Sequence, residues 1–326
     1  MHSSRHVRLS GVGRAMTQDA ALYRGTEVGD YRIEKVLGSG GFGITYLAED
    51  VRLNSKVALK EYFPPSLARR SSDQTVVPQG GDGENYYAWG REKFVHEATS
   101  LARLQHASIV GVKHFFTANG TAYLAIDYIE GPSMKTWLRN RWVSQQELDR
   151  IVPPLLSALE TIHEQGLMHR DIAPKNIMIS EPSGTPILID FGAARQLVAQ
   201  HTRTIAVLTA GYAPVEQYAQ TGHGQGPWTD IYALAATFYE AIAGHTPPEG
   251  IERIGEDRCI PAVKVGANRY DPNLLEAIDW GLRPMPKDRP KSVKEWRLAF
   301  ALPEAAHMAG NATPGRSWFS GWLGRG

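Results

Sequence analysis

Residues 169–192 read HRDIAPKNIMISEPSGTPILIDFG and place side chains suited to metal-assisted phosphoryl transfer at a definable geometry. Ile177 to Ile179 and Ile187 to Ile189 are short β-branched runs, and the turn-rich segment Ser180 to Pro186 between them predicts an antiparallel hairpin. Asn176 enters that hairpin and Asp190 leaves it, so their oxygens meet at its open end and can approach one ion. Hard oxygen ligands of this kind suit Mg²⁺, which keeps several waters and completes its shell with phosphate. Asp171, just ahead of Asn176, is then within reach as a carboxylate that could accept a hydroxyl proton.

At these residues the chain resembles the Hanks-type protein kinases of bacteria, whose catalytic loop H-R-D-x-x-x-x-N is followed by D-F-G. The matches are His169-Arg170-Asp171, Asn176 and Asp190-Phe191-Gly192. Upstream, Gly38, Gly40 and Gly43 form G-x-G-x-x-G, where missing Cβ atoms let backbone close over phosphates. Dinucleotide-binding domains share that spacing, but there the third glycine opens a helix. Here Ile44 to Ala48 continue as a strand, and Val57 to Lys60 follow as another. Alternation puts Ala58 and Lys60 on one face of the second strand and Val57 and Leu59 on the other. The match to the family's V-A-I-K strand implies that Ala58 roofs the adenine and Lys60 clamps phosphates. The resemblance further implies a glutamate on the next helix that pairs with this lysine. Glu97 supplies it, on an apolar stripe with Phe94 and Leu101.

The remaining matches are also read through the resemblance. Ile126 holds the gatekeeper position; Asp127 and Ile129 present backbone groups to adenine, and Met178 joins the nucleotide-binding set. Residues 195–218 resemble an activation segment that ends in Pro214-Val215-Glu216, with Arg289 placed to hold that glutamate. Arg170 implies control by phosphorylation, with Thr202 and Thr204 as candidates. Asp230 matches the acid that anchors the catalytic loop, and is equally suited to capping its own helix. The lysine that serine/threonine kinases usually carry two residues after the catalytic Asp is Ala173 here. Lys175 stands in its place, as the basic residue does in many tyrosine kinases. Against tyrosine, Thr209 matches the threonine that can hydrogen-bond Asp171 and build a floor for a short acceptor.

Composition agrees with these readings. With 35 Lys and Arg against 34 Asp and Glu in 326 residues, there is no electrostatic case for nucleic acid. One cysteine, Cys259, excludes a disulfide framework and a cysteine-rich zinc site, and points to a cytoplasmic compartment. Even the apolar run Ile231 to Ala243 is too short for a membrane span and contains Glu240. The order of elements predicts an α+β, bilobal kinase fold, with a small β-rich N-lobe carrying one main helix and a larger helical C-lobe. The expected divisions are a disordered extension over 1–25 with Met16 as an alternative start, an N-lobe over 26–130, a C-lobe over 131–302 and a flexible tail over 303–326. An insert around 61–90 should form a small hairpin from Ala68 to Arg70 and Thr75 to Val77, packed by Tyr86, Tyr87 and Trp89. Ser144 and Glu147 make a capping box, and Pro153 and Pro154 imply a start or kink in the helix that follows.

The resemblance implies transfer of the ATP γ-phosphoryl to serine or threonine hydroxyls of proteins. Lys60 and Glu97 would hold phosphates, Asn176 and Asp190 would hold Mg²⁺ or Mn²⁺, Asp171 would act as base, and Lys175 would add charge. ATP, protein substrates and a second copy for autophosphorylation are the implied partners. A nucleotide-binding pseudokinase scaffold and a small-molecule kinase are the alternatives.

Overall fold

The computed structural model describes residues 20–190, 208–218 and 224–301. Phe191, Gly192, Thr202, Thr204 and the tail over 303–326, with its Trp318, Phe319 and Trp322, lie outside the described residues. The N-terminal half builds β1 (Glu27–Val28), β2 (Tyr31–Gly40), β3 (Gly43–Asp50), β4 (Ser55–Tyr62), the insert hairpin β5 (Ala68–Arg70) and β6 (Val76–Pro78), α1 (Asp82–Leu101), β7 (Val112–Ala118) and β8 (Thr121–Asp127). The main sheet has six antiparallel strands in the order β1-β2-β3-β4-β8-β7. Its alternation falls as expected: Val57 and Leu59 join one buried cluster and Ala58 another, which faces α1 through Ala98.

The glycine-rich segment is the tip of the β2–β3 hairpin, where Gly38 opposes Thr45 and Gly40 opposes Gly43. Gly43 is required by close approach, because a Cβ there would collide with the carbonyl oxygen of Glu61. The insert pairs Arg69 with Val77, one residue later on its second strand than the sequence suggested. Tyr87 is buried against the lobe, with Tyr86 and Trp89 packed beside it. The expected disordered extension is too long: Ala21 and Leu22 are buried in the same cluster, and the Leu22 amide donates to the Tyr46 hydroxyl at 3.1 Å. Burying two apolar side chains on the sheet offsets the entropy of ordering so short a piece.

The C-terminal half contains α2 (Met134–Trp137), α3 (Gln145–Glu164), β9 (Ile177–Ile179), β10 (Pro186–Leu188), α4 (Pro227–Ala243), α5 (Ala262–Val265), α6 (Pro272–Gly281) and α7 (Val293–Ala299). The Ser144 capping box is present, with Ser144 N–H donating to Glu147 Oε2 at 2.8 Å. Pro153 and Pro154 do not start the helix, which runs through both. The carbonyls they deprive of partners belong to exposed Asp149 and Arg150, which water can reach. The opposite face buries Leu148, Ile151, Leu155, Leu159 and Ile162, which holds the helix together.

Helix α4 is buried on nearly every side and stops at Gly244, whose φ of 76° suits a glycine C-cap. Asp230 near its start is fully buried and accepts from His163 Nε2 at 2.9 Å, His169 N at 2.8 Å and Arg170 N at 2.7 Å. Burial alone would raise this carboxyl, but the hydrogen bonds and charge of His163, with His169 and the Arg170 amide, bring it below its ordinary value. Glu216, at the end of the activation-segment match, is held by the buried Arg289 guanidinium at 2.7 and 3.2 Å, and by the Thr229 hydroxyl at 2.9 Å.

Two outcomes follow from these buried groups. Arg289→Met leaves Glu216 a charged group without its counter-ion and should cost about 3–5 kcal/mol in urea unfolding; a loss under about 1 kcal/mol would show that the pair holds nothing. His169 is fully buried and donates from Nε2 to Ile189 O at 3.2 Å, and desolvation pushes its pKa below the ordinary 6.5. The unfolded chain therefore takes up a proton below that value which the fold refuses. Stability should be full above it and fall on acidification from about pH 7 toward about pH 5, by up to about 1.4 kcal/mol per pH unit. A urea midpoint that rose over that interval would contradict the assignment.

Candidate active site

The hairpin of β9 and β10 sets the centre of the cleft. Ile177 opposes Leu188, and Ile189 N donates to Asn176 O at 2.9 Å, so Asn176 and Asp190 stand together at the open end. Both line a cavity of about 300 Å³ with Gly38, Gly40, Gly43, Lys60, Glu97 and Lys175. Beside it lies a small apolar cluster of Ala58, Ala98, Val110, Leu124, Ile126 and Ile187, with Ile129 and Ile189 packed against it. Met178 is half-buried on β9, in a bridge with Ser133. Asp127 ends β8; its amide donates to Gly111 O at 2.9 Å and its carboxylate meets Lys113 at 3.0 Å.

Asp171 is held from three directions. Thr209 Oγ1 donates to its Oδ1 at 2.8 Å, Asn176 Nδ2 donates to its Oδ2 at 2.9 Å, and Lys175 Nζ lies 3.5 Å from Oδ2. Lys175 Nζ also donates to Thr209 Oγ1 at 2.9 Å, which closes the ring of contacts. Arg170, the residue before, has a left-handed φ of 63°, a costly conformation for arginine. The bond from its amide to Asp230 and the bond from Gln217 Nε2 to its carbonyl at 2.9 Å hold it there.

One expectation fails. Among the described residues, Lys60 forms its ion pair with Asp190, not with Glu97. The reason lies in how α1 is seated: Phe94, Ala98 and Leu101 make the stripe that packs inward, and Ala98 is its most deeply buried member. Glu97 falls at the edge of that stripe, half-buried, while the hairpin delivers the Asp190 carboxylate directly to the lysine.

The donor set at the open end has a definite character. Asn176 spends its amide nitrogen on Asp171, through both the carboxylate and the backbone oxygen at 2.7 Å, which leaves its side-chain oxygen for another partner. Among the described residues no cluster of three or more His, Cys, Asp or Glu could enclose a metal ion. One carboxylate and one amide oxygen are a poor cage for Zn²⁺ but fit an ion such as Mg²⁺ that keeps its waters and binds substrate phosphates.

Sequence reasoning missed several residues around this site. Gln217 and His163 steady the catalytic loop from elsewhere, and nothing in their spacing marked them. Glu61 was overlooked as well, although alternation along β4 puts this carboxylate on the same core-facing side as Val57 and Leu59.

The protein kinase domain model matches residues 31–291. The chain is 30% identical over 285 residues to the serine/threonine-protein kinase PknA of Nostoc sp. (strain PCC 7120), an alignment covering 83% of this chain and 47% of the relative. It is 32% identical over 231 residues to the serine/threonine-protein kinase PknJ of Mycobacterium tuberculosis, covering 69% of this chain and 36% of the relative. The apo form of PpkA-294 superposes with a TM-score of 0.78 at 37% identity, over 86% of this chain and 99% of that one. The chain spans about half the length of the curated relatives PknA and serine/threonine-protein kinase C that it matches. No helix among the described residues is long and apolar enough to cross a membrane. The domain match and the bilobal fold agree with the relatives, which are serine/threonine kinases of bacteria: the chain belongs to the Hanks-type protein kinases.

Proposed function

We propose that this chain transfers the γ-phosphoryl group of ATP to serine or threonine hydroxyls of proteins, its own included. The observation that carries the reading is the ring of contacts joining Asp171, Thr209, Lys175 and Asn176, placed beside a cavity that also presents Lys60 and Asp190. The catalysis required is mostly positioning and electrostatic stabilisation, and these residues supply both.

In this reading adenine lies against Ala58, Met178 and the apolar cluster. Asp127, whose amide is already spent on Gly111, offers its carbonyl, and Ile129 offers its amide. Gly38, Gly40 and Gly43 cover the phosphates. Lys60 grips the α and β phosphates, with Glu97 swung in to support it. Asn176 and Asp190 hold Mg²⁺, or Mn²⁺, which neutralises charge on the phosphates when bound. Asp171 orients the acceptor hydroxyl and takes its proton. Lys175 takes over the charge that Ala173 cannot provide; its ammonium already lies between Thr209 and Asp171. Thr209 holds Asp171 at a depth suited to a short acceptor. Self-association brings one copy's hydroxyl to another copy's cleft.

Incubation with labelled ATP and Mg²⁺, followed by mass spectrometry and phosphoamino-acid analysis, tests this directly. Phosphoserine and phosphothreonine are expected, and chiefly phosphotyrosine would overturn the acceptor assignment. Lys60→Met and Asp190→Asn should each lower the rate by about a hundredfold or more while the fold persists; near-normal rates would sink the site. Asp171→Asn should lower it by roughly 10²- to 10⁴-fold. Lys175→Ala should lower kcat by about tenfold, the worth of one charge-assisted contact, and an unchanged kcat would remove Lys175 from the chemistry.

Arg170 generates one more expectation. A phosphate on Thr202 or Thr204 would form charge-assisted bonds with its guanidinium. Replacing both threonines by alanine should abolish the accelerating phase of autophosphorylation. An unaltered time course would show that these threonines do not control activity.

A further inference from the structure

Lys60 and Glu61 are neighbours on β4 and point to opposite faces of the sheet. The Glu61 side chain is fully buried and accepts three hydrogen bonds: from Tyr46 Oη at 2.7 Å, Tyr123 Oη at 2.6 Å and Arg70 Nη2 at 2.6 Å. Arg70 comes from the insert hairpin and is nearly as buried. Its other two nitrogens are engaged too, Nε on Ala20 O at 2.5 Å and Nη1 on Gln74 O at 3.0 Å, and its guanidinium lies 5.0 Å from the Phe63 ring centre. With Leu22 N donating to Tyr46 Oη, the network joins the segment before the first strand, the insert, β3, β4 and β8.

We propose that Arg70 is a positioning residue for phosphoryl transfer: through the buried Glu61 carboxylate it fixes the end of β4, and with it Lys60 and the Gly43 end of the phosphate-covering hairpin. This inference rests on the ATP-dependent reading above. A buried ion pair stabilises a fold little better than an apolar pair of the same volume, so stability alone is a weak reason for this one. What three convergent donors supply is direction, because they leave the carboxylate one place to sit.

That place governs the cleft. Gly43 rests so closely on the Glu61 carbonyl that no Cβ fits between them, and Thr45 opposes Lys60 in the same ladder. A shift of Glu61 therefore moves the floor beneath Gly43 and the root of Lys60 together. The insert is fastened at its other end as well. Val76 N donates to Asn119 O at 2.8 Å, and Tyr87, at the start of α1, donates from its hydroxyl to Gly120 O at 3.0 Å. In chain order the insert that carries Arg70 thus lies between the strand that carries Lys60 and the helix that carries Glu97, and both the insert and that helix are tied to the Asn119–Gly120 turn.

The test is steady-state kinetics toward ATP and toward a protein acceptor, with thermal unfolding and binding of a fluorescent ATP analogue, on the full chain. Arg70→Met, assayed well below its melting temperature, should raise KM for ATP and the analogue Kd about tenfold while KM for the acceptor stays unchanged. Arg70→Lys keeps the charge but not the fork and should recover part of that loss. Tyr46→Phe removes one hydroxyl without emptying volume and should raise both ATP constants about threefold. A lowered melting temperature with unchanged ATP constants in Arg70→Met would make Arg70 merely structural and overturn the proposal. If Arg70→Met does not fold, Tyr46→Phe decides in the same way. A wild-type chain that binds the analogue without phosphorylating anything would count against the kinase reading, while the analogue Kd values would still decide the role of Arg70.

Discussion

The Asp230 carboxylate is the point from which the cleft is built. It is buried on the helix that forms the centre of the larger lobe, and two of its three partners are consecutive backbone amides, those of His169 and Arg170. Arg170 must adopt a left-handed φ for the chain to turn Asp171 toward the cleft, and a conformation so unfavourable for arginine persists only where its surroundings over-determine it. The carboxylate does this from one side and Gln217 from the other. His169 follows as a consequence: with its amide held, its ring is buried and its Nε2 is directed at Ile189 O, next to Asp190. One buried charge therefore reaches both the proposed base and the proposed metal ligand through hydrogen-bonded backbone.

The motifs that were legible in the sequence are those whose geometry is local. Asn176 and Asp190 had to meet because a short hairpin joins them, and the β9–β10 register brings them together. Gly38, Gly40 and Gly43 had to sit on a strand-to-strand hairpin because no helix follows them. Alternation likewise separated Ala58 and Lys60 from Val57 and Leu59. Each of these inferences needs only the period of a strand and the length of a turn.

What was not legible depends on depth or on distant partners. The spacing of Phe94, Glu97 and Leu101 says that they share a helix face, but the seating of α1 is decided by the small residue Ala98, which lets the helix approach the sheet and leaves Glu97 at the edge. Pro153 and Pro154 argue for a helix start or kink on local grounds, and tertiary burial of the opposite face carries the helix through both. Ala21 and Leu22 look like the end of an unstructured stretch until the sheet they cover is present. Glu61 was a carboxylate on a core-facing position, a visible anomaly, yet its partner Arg70 lies across a loop whose path no periodicity encodes.

Two groups of carboxylates emerge from this, and burial separates them. The side chains of Glu61, Glu216 and Asp230 are 0%, 5% and 0% exposed, and each is saturated by donors that belong to other elements. Such a group cannot change partners without leaving a charge unpaired in the interior, which costs several kcal/mol. These three can only hold parts still: the strand of Lys60, the end of the activation segment and the catalytic loop. Asp190 is 41% exposed, and Glu97 is half-buried at the edge of its helix stripe. Neither carboxylate is sealed in the interior, so moving Lys60, itself 16% exposed, from one to the other does not strand a fully buried acid without its donors. The proposed chemistry requires that exchange, since Asp190 must turn to the metal while Lys60 turns to phosphate. Asp171, at 10%, lies between the two groups, held firmly enough to aim and open enough to receive a proton.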